Sequence, residues 1–300
     1  MTTRRKFLAA VVGTGLLGNY VPLFGSPTTV SRLPVQHDEG TLRFIVFGDS
    51  GSGSMAQYEL AWRMAALRER IDFGFVVMLG DQIYPEGDLE DLGERFVEPY
   101  FELLNAGVRF YPVLSNHDVQ TNDGEDQVRY FDLPGRWYRF QRGDVEFFML
   151  ESNQAELIDY SFPQLQWLGA ALASSSARWK IAAMHHPLYS SQREPSGWRR
   201  TLLEPLFVQF GVDFVLAGHD HVYERIAPQR GVRYFVSGGG GAGTRPVRRI
   251  QHYSEHTEST HHFILFELGR KQGWFQVIDI EGRVIDAGTL KPRSLRTQVI

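Results

Sequence analysis

Five apolar runs in this 300-residue chain each stop abruptly on side chains that bind metals or carry protons. "LRFIVFG" runs into Asp49, and "FGFVVMLG" into Asp81 with Tyr84 close behind. "VRFYPVLS" ends on Asn116, His117 and Asp118; "WKIAAM" ends on His185 and His186; "DFVLAG" ends on His219, Asp220 and His221. Carboxylates, an amide, imidazoles and a phenol form an oxygen and nitrogen donor set that suits Fe, Mn or Zn rather than an all-oxygen Ca or Mg cage. There are more donors here than one ion needs while keeping an open position, so two ions sharing a carboxylate is the economical solution. Two metals roughly 3.5–4 Å apart activate water and clamp a phosphoryl group during in-line attack. A histidine left unligated nearby would protonate the leaving oxygen. The chemistry expected is metal-assisted hydrolysis, with a small phosphate ester as the natural electrophile.

The elements that must hold these groups follow from the same runs. A continuous apolar stretch is the mark of a strand covered on both faces. Helix-period stretches separate the runs, one expected over Met55–Arg70 and another in "LEDLGERFVEPYFELLNA". Parallel strands need such crossovers, and in α/β sheets the carboxyl ends of the strands form the ligand-binding edge. Any one junction alone reads equally well as a turn or a helix cap. Five in one chain, each directly after a buried run, point to a site. "WFQVIDIEGRVIDAGTL" reads as a terminal hairpin turning at Glu281-Gly282, and "HYSEHTESTHH" as a polar loop ahead of the strand "FILFEL".

Composition narrows the class. Apolar residues make up 43%, enough for a sizeable core, and the net charge is −4 with basic residues dispersed, so no nucleic-acid groove is expected. The absence of cysteine excludes disulfides, thiolate metal sites and a cysteine nucleophile. Residues 1–36 are set apart as an export signal and linker. Thr3-Arg4-Arg5-Lys6-Phe7-Leu8 has the look of a twin-arginine sequence, followed by an apolar stretch from Phe7 to Leu17 that is short for a membrane span. The expectations are recognition by twin-arginine export machinery, cleavage or retention as a membrane anchor, and a periplasmic or secreted location.

The ordered set Asp49-x-Gly51, Gly80-Asp81-x-x-Tyr84, Asn116-His117-Asp118, His185 and Gly218-His219-x-His221 resembles the metallophosphoesterase superfamily. More narrowly it resembles the purple acid phosphatases of the short, single-domain kind, over about residues 42 to 290. That resemblance implies an α/β fold of four layers over residues 37–300, two packed mixed β-sheets flanked by helices. It implies a first metal on Asp49, Tyr84 and His221, a bridging Asp81, and a second metal on Asn116, His185 and His219. It implies His117 as the unligated histidine that assists the leaving group, with Asp118 orienting it, and leaves His186 either to support the metal ligands from behind or to contact substrate. Most of the superfamily carries Asp-x-His at the first junction. Here Gly51 takes that place, and Tyr84 stands where the purple group supplies a tyrosinate; the resemblance thus implies Fe(III) at the first position and Fe, Mn or Zn at the second.

Two departures stand out. Ser115 precedes Asn116 where the family usually has glycine, and the loop after His185 has Arg193 and Glu194 where purple acid phosphatases carry further histidines. His37, His252, His256, His261 and His262 match no motif. Gly238–Gly241 lacks the spacing and lysine of a phosphate loop and reads as a tight turn beside the site. The expected activity is monoester hydrolysis, as in an acid phosphatase. The alternatives are a phosphodiesterase or nucleotide pyrophosphatase with the same metals, and a metal-binding protein without turnover.

Overall fold

Side-chain alternation along the first strand sets the layering. In β1 (Leu42–Phe47) Phe44 and Val46 join one apolar cluster, while Ile45 and Phe47 join another on the opposite face. A strand buried on both sides must lie between two layers. The computed structural model describes residues 40–153, 163–193, 195 and 197–293. The expected export segment, His37 and Glu194 lie outside the described residues.

The first sheet has the order β13-β12-β11-β1-β2-β3. Its parallel part is β1, β2 (Phe75–Met78) and β3 (Arg109–Pro112). An antiparallel part is added by β11 (His262–Leu268), β12 (Gly273–Asp279) and β13 (Val284–Leu290). The second sheet has the order β10-β8-β9-β7-β6-β5-β4. There β5 (Val145–Met149), β6 (Trp179–Met184), β7 (Phe214–Ala217) and β9 (Val232–Ser237) run parallel. The flanking strands β4 (Tyr138–Arg142), β8 (Tyr223–Gln229) and β10 (Ser254–Glu258) pair antiparallel.

Phe44, Val77, Phe147, Ile181, Phe214, Phe266 and Phe275 fill the space between the sheets. On the outer face of the first sheet lie α1 (Met55–Arg68) and α2 (Phe101–Asn105), with Leu60, Met64 and Leu103 against Ile45 and Met78. The outer face of the second is covered by α4 (Pro163–Ser174) and α5 (Gly197–Gln209) through Leu168, Leu172, Leu203 and Phe207; α3 (Glu125–Tyr130) sits in a connecting loop. The fold is thus α/β, two mixed sheets between helical layers, as expected. Among the described residues no helix is long and apolar enough to cross a membrane.

Two readings need correction. The stretch before "FILFEL" is not all loop: Ser254–Glu258 forms the edge strand β10, paired with β8. An edge strand has one face to solvent and needs no apolar run, so its sequence looks like loop. The second helical stretch is broken into short turns at 89–91 and 93–97 before α2, around Gly93 and Pro99.

Candidate metal centre

The five expected junctions converge because the parallel strands of both sheets end at one edge. Gly48 donates its N–H to the Ser237 carbonyl across the sheets, and Asp49 donates to the Gly80 carbonyl within the first sheet. Asp49, Asp81 and His219 each follow a glycine and take φ of 58°, 57° and 69°. A left-handed backbone is uncommon outside glycine, although aspartate and histidine adopt it more often than most residues, and such conformations concentrate at functional sites. Each of these turns aims a side chain inward from the strand end. Glycine makes room for them: a Cβ on Gly218 or Gly238 would sit 2.6 or 2.8 Å from Asp49 Oδ2, and one on Gly80 2.4 Å from His185 Nδ1.

The donor atoms form two adjoining groups. In the first, Asp49 Oδ1 is 3.4 Å from His221 Nε2, and the Tyr84 hydroxyl is 3.3 Å from that nitrogen. In the second, His185 Nε2 is 3.0 Å from Asn116 Oδ1 and 3.1 Å from His219 Nδ1. Asp81 reaches both: Oδ2 accepts from the Tyr84 hydroxyl at 2.5 Å, and Oδ1 is 3.5 Å from His185 Nε2. A carboxylate with one oxygen in each group is placed to bridge. The two clusters Asp49-Asp81-His221 and His185-His186-His219 each bring their ligand atoms within 4.8 Å of one another.

Second partners fix which imidazole nitrogen is free. His185 Nδ1 donates to the Leu79 carbonyl and His221 Nδ1 to the Gly243 carbonyl, both at 2.8 Å, so each leaves Nε2 as a lone-pair donor. Asp49 is fully buried and Asp81 nearly so, yet Oδ1 of each has no hydrogen-bond partner. A buried carboxylate oxygen without a partner costs roughly 1–3 kcal/mol or more, so an orphaned pair on one cavity calls for cations. Burial, reinforced by the Asp81 charge, pushes the Asp49 carboxyl up to about 6 despite the opposing pull of His221. Burial and the Asp49 and Asp81 charges push the Tyr84 phenol far up. That phenol ionises only where a cation offsets the burial and the neighbouring carboxylates.

A Cβ at position 51 would lie 1.9 Å from the Gln82 carbonyl oxygen, so this backbone admits no side chain there, while the Tyr84 hydroxyl lies against Asp81 and His221.

The expected catalytic group is arranged differently from the sequence reading. His117 is half-exposed at the mouth, its ring edge-on to Tyr84 with centroids 4.8 Å apart. Its Nδ1 is held by the Pro85 carbonyl at 2.5 Å, so Nε2 is the ring nitrogen not used in that anchor. Asp118 does not orient it. Asp118 Oδ2 accepts from the backbone N–H of Asp81 and of Ser115, and Oδ1 from the N–H of Gln82 and the Gln127 side chain, all within 3.1 Å. Asp118 is a clamp between the second and third junctions. His186 lies beside the second group, its ring 4.5 Å from His219 and its Nδ1 on Ser152 Oγ; burial and neighbouring cationic groups hold its pKa far down.

The sequence reading missed a sixth junction. β5 ends in Glu151-Ser152-Asn153: Ser152 holds His186, and Asn153 donates to the Ser115 carbonyl beside Asn116. The signal was present in "VEFFMLESN", an apolar run ending in polar groups.

Comparison with known proteins agrees with this geometry. Residues 42–223 match the calcineurin-like phosphoesterase family model. Purple acid phosphatase 17 of Arabidopsis thaliana is 27% identical over 278 residues, covering 80% of each chain. Tartrate-resistant acid phosphatase type 5 of Rattus norvegicus is 26% identical over 300 residues, covering 84% of this chain and 91% of that one. The solved purple acid phosphatase PPD1 of yellow lupin seeds superposes with a TM-score of 0.72 at 18% identity, covering 85% of this chain and 54% of its own, which shows a shared fold. With more than half its length matched and its donor groups in place, the chain belongs to the calcineurin-like phosphoesterase family of phosphoric ester hydrolases, with purple and tartrate-resistant acid phosphatases among its relatives.

Proposed function

We propose that this protein hydrolyses phosphate monoesters at a dinuclear metal centre. The observation that carries the reading is the buried Asp49–Asp81 pair, each with an orphaned Oδ1, set among His185, His219, His221, Asn116 and Tyr84. Asp49, Tyr84 and His221 would hold one ion, Asn116, His185 and His219 the other, and Asp81 both. Fe(III) is proposed for the Tyr84 position and Fe, Mn or Zn for the second. Bound there, the pair supplies an attacking hydroxide near neutral pH and neutralises phosphoryl charge. The chain's own residues do the rest. His117, fixed through Nδ1, presents Nε2 to the leaving oxygen and donates the proton it needs. Tyr84 walls the pocket on the His117 side. Asp118 keeps the Asp81 and Asn116 loops in register.

The small phosphate-ester substrate, export by a twin-arginine route and residence in the cell envelope are part of the same proposal, motivated by Arg4-Arg5 and the apolar stretch behind it. The test is turnover of p-nitrophenyl phosphate beside bis-p-nitrophenyl phosphate by metal-loaded protein. Preference for the monoester is expected; preference for the diester would replace the monoesterase reading with a phosphodiesterase one.

A further inference from the structure

Residues 225–254 hold six arginines and no carboxylate, in a chain whose net charge is −4. Three of the six, Arg245, Arg248 and Arg249, fall within one short loop between β9 and β10, "RPVRRI". All three are exposed, and among the described residues none of them pairs with a carboxylate.

The loop is fixed at both ends. At its start the Arg245 N–H donates to the His221 carbonyl, and the Arg245 carbonyl accepts from the Ser259 hydroxyl at 2.9 Å and the Gln192 amide at 3.4 Å. At its far end the Gln251 N–H donates to Ser191 Oγ at 3.0 Å, and the Tyr253 hydroxyl to the Ser190 carbonyl at 2.9 Å. Ser191 is itself held by the buried Glu224. Between these anchors Val247 packs inward, against the apolar cluster on the outer face of the second sheet. Ile250 does not; it is 63% exposed, directly after two arginines. A single exposed isoleucine needs no explanation. One held outward by a pinned loop, among three unpaired cations, has the make-up of an element that meets lipid. The apolar group suits the acyl boundary and the arginines suit headgroup phosphates.

We propose that the Arg245–Ile250 loop is a docking surface for an anionic phospholipid membrane, with Arg245, Arg248 and Arg249 on the headgroups and Ile250 in the interface. Three charges on one loop are too few to track a polynucleotide backbone. They are also too few to recruit a free protein unaided, because stable attachment takes two signals. The sequence offers another in the apolar stretch Phe7–Leu17. The part of the loop is orientation. Arg245 is bonded to His221, so docking brings the His221 side of the metal centre to the lipid surface.

The test uses the full, metal-loaded chain with vesicles of phosphatidylcholine alone or mixed equally with phosphatidylglycerol. The chain has no cysteine, so an environment-sensitive fluorophore on Ile250→Cys reports from the loop alone. Its emission should shift to the blue on the mixed vesicles and not on phosphatidylcholine. The same label on Lys271→Cys, at an exposed position between β11 and β12, should respond to neither. Each arginine near an anionic surface adds about fivefold to partitioning. Arg248→Ala/Arg249→Ala should therefore weaken binding to the mixed vesicles about 25-fold, with the thermal midpoint of wild type retained. Arg70→Ala/Lys271→Ala removes the same charge from exposed positions away from the loop and should cost less than about twofold. An unshifted label on Ile250→Cys, or equal losses in the two double variants, would overturn the docking surface. A shift produced as fully by soluble polyglutamate would overturn it too, assigning the loop to an acidic protein instead.

Discussion

Replacing Asp118 with asparagine removes one oxygen from a fully buried carboxylate that accepts four hydrogen bonds. Whichever way the new amide points, its NH2 meets N–H donors. The better orientation turns it towards Gln82 N–H and Gln127, because Gln127 can flip and offer the Oε1 that now has no partner, at the cost of its Nε2 bond to the Gly87 carbonyl. That still strands the buried Gln82 N–H, at roughly 1–3 kcal/mol, and turns the surviving charge-assisted bonds into neutral ones. Together the loss is about 3 kcal/mol, which for a domain of this size lowers Tm by about 6–12 °C. The assay is thermal unfolding of metal-free wild type and Asp118→Asn, followed by turnover and metal affinity of the loaded forms. Weaker metal binding should accompany the lower Tm, since Asp118 holds the backbone of Asp81 and Ser115. A Tm within about 2 °C of wild type with collapsed turnover would refute the clamp and restore the role of orienting His117.

Other outcomes follow from single features. Tyr84→Phe, loaded with iron, should lose the visible charge-transfer band of a tyrosinate complex; an absorption spectrum that kept the band would remove Tyr84 from the first metal. Gly51→Ala should cost about 1–3 kcal/mol or more by urea denaturation, because its Cβ would meet the Gln82 carbonyl oxygen at 1.9 Å. Asp213, far from the metal ligands, has its carboxyl pushed up to about 6 by burial, against the opposing N–H bonds from Arg293 and Lys180. A folded pKa above the model value of 3.8 means the ionised form is disfavoured in the fold, so this group's contribution falls as pH rises from about 4 through about 6. The stability difference between wild type and Asp213→Asn should therefore be larger at pH 4.5 than at pH 7, by up to about 2 kcal/mol in metal-free protein. A pH-independent difference would contradict the shift.

The groups that gather at the strand ends were legible because each junction places a polar group directly after an apolar run, and a buried strand leaves only its ends for chemistry. Roles set by distant backbone were not legible. Asp118 follows His117 in the chain, yet its oxygens are claimed by N–H groups that the Asp81 loop brings in from 36 and 37 residues away. Asp220 sits between two donor histidines but turns away from them to Ser190. The runs also exceed the strands they form: "FGFVVMLG" yields only Phe75–Met78, because Gly80 and Asp81 adopt positive φ and leave the sheet. Hydrophobic pattern locates a buried segment, whereas the turn that ends it is fixed by the neighbouring junction.

The most direct check of the centre is elemental analysis of wild type and Asp81→Asn beside their rates on p-nitrophenyl phosphate. Two ions per chain with turnover are expected for the wild type, and loss of both ions and of turnover when the one carboxylate that touches both donor groups is changed. An Asp81→Asn protein that kept two ions per chain would contradict the shared bridge on which the dinuclear reading stands.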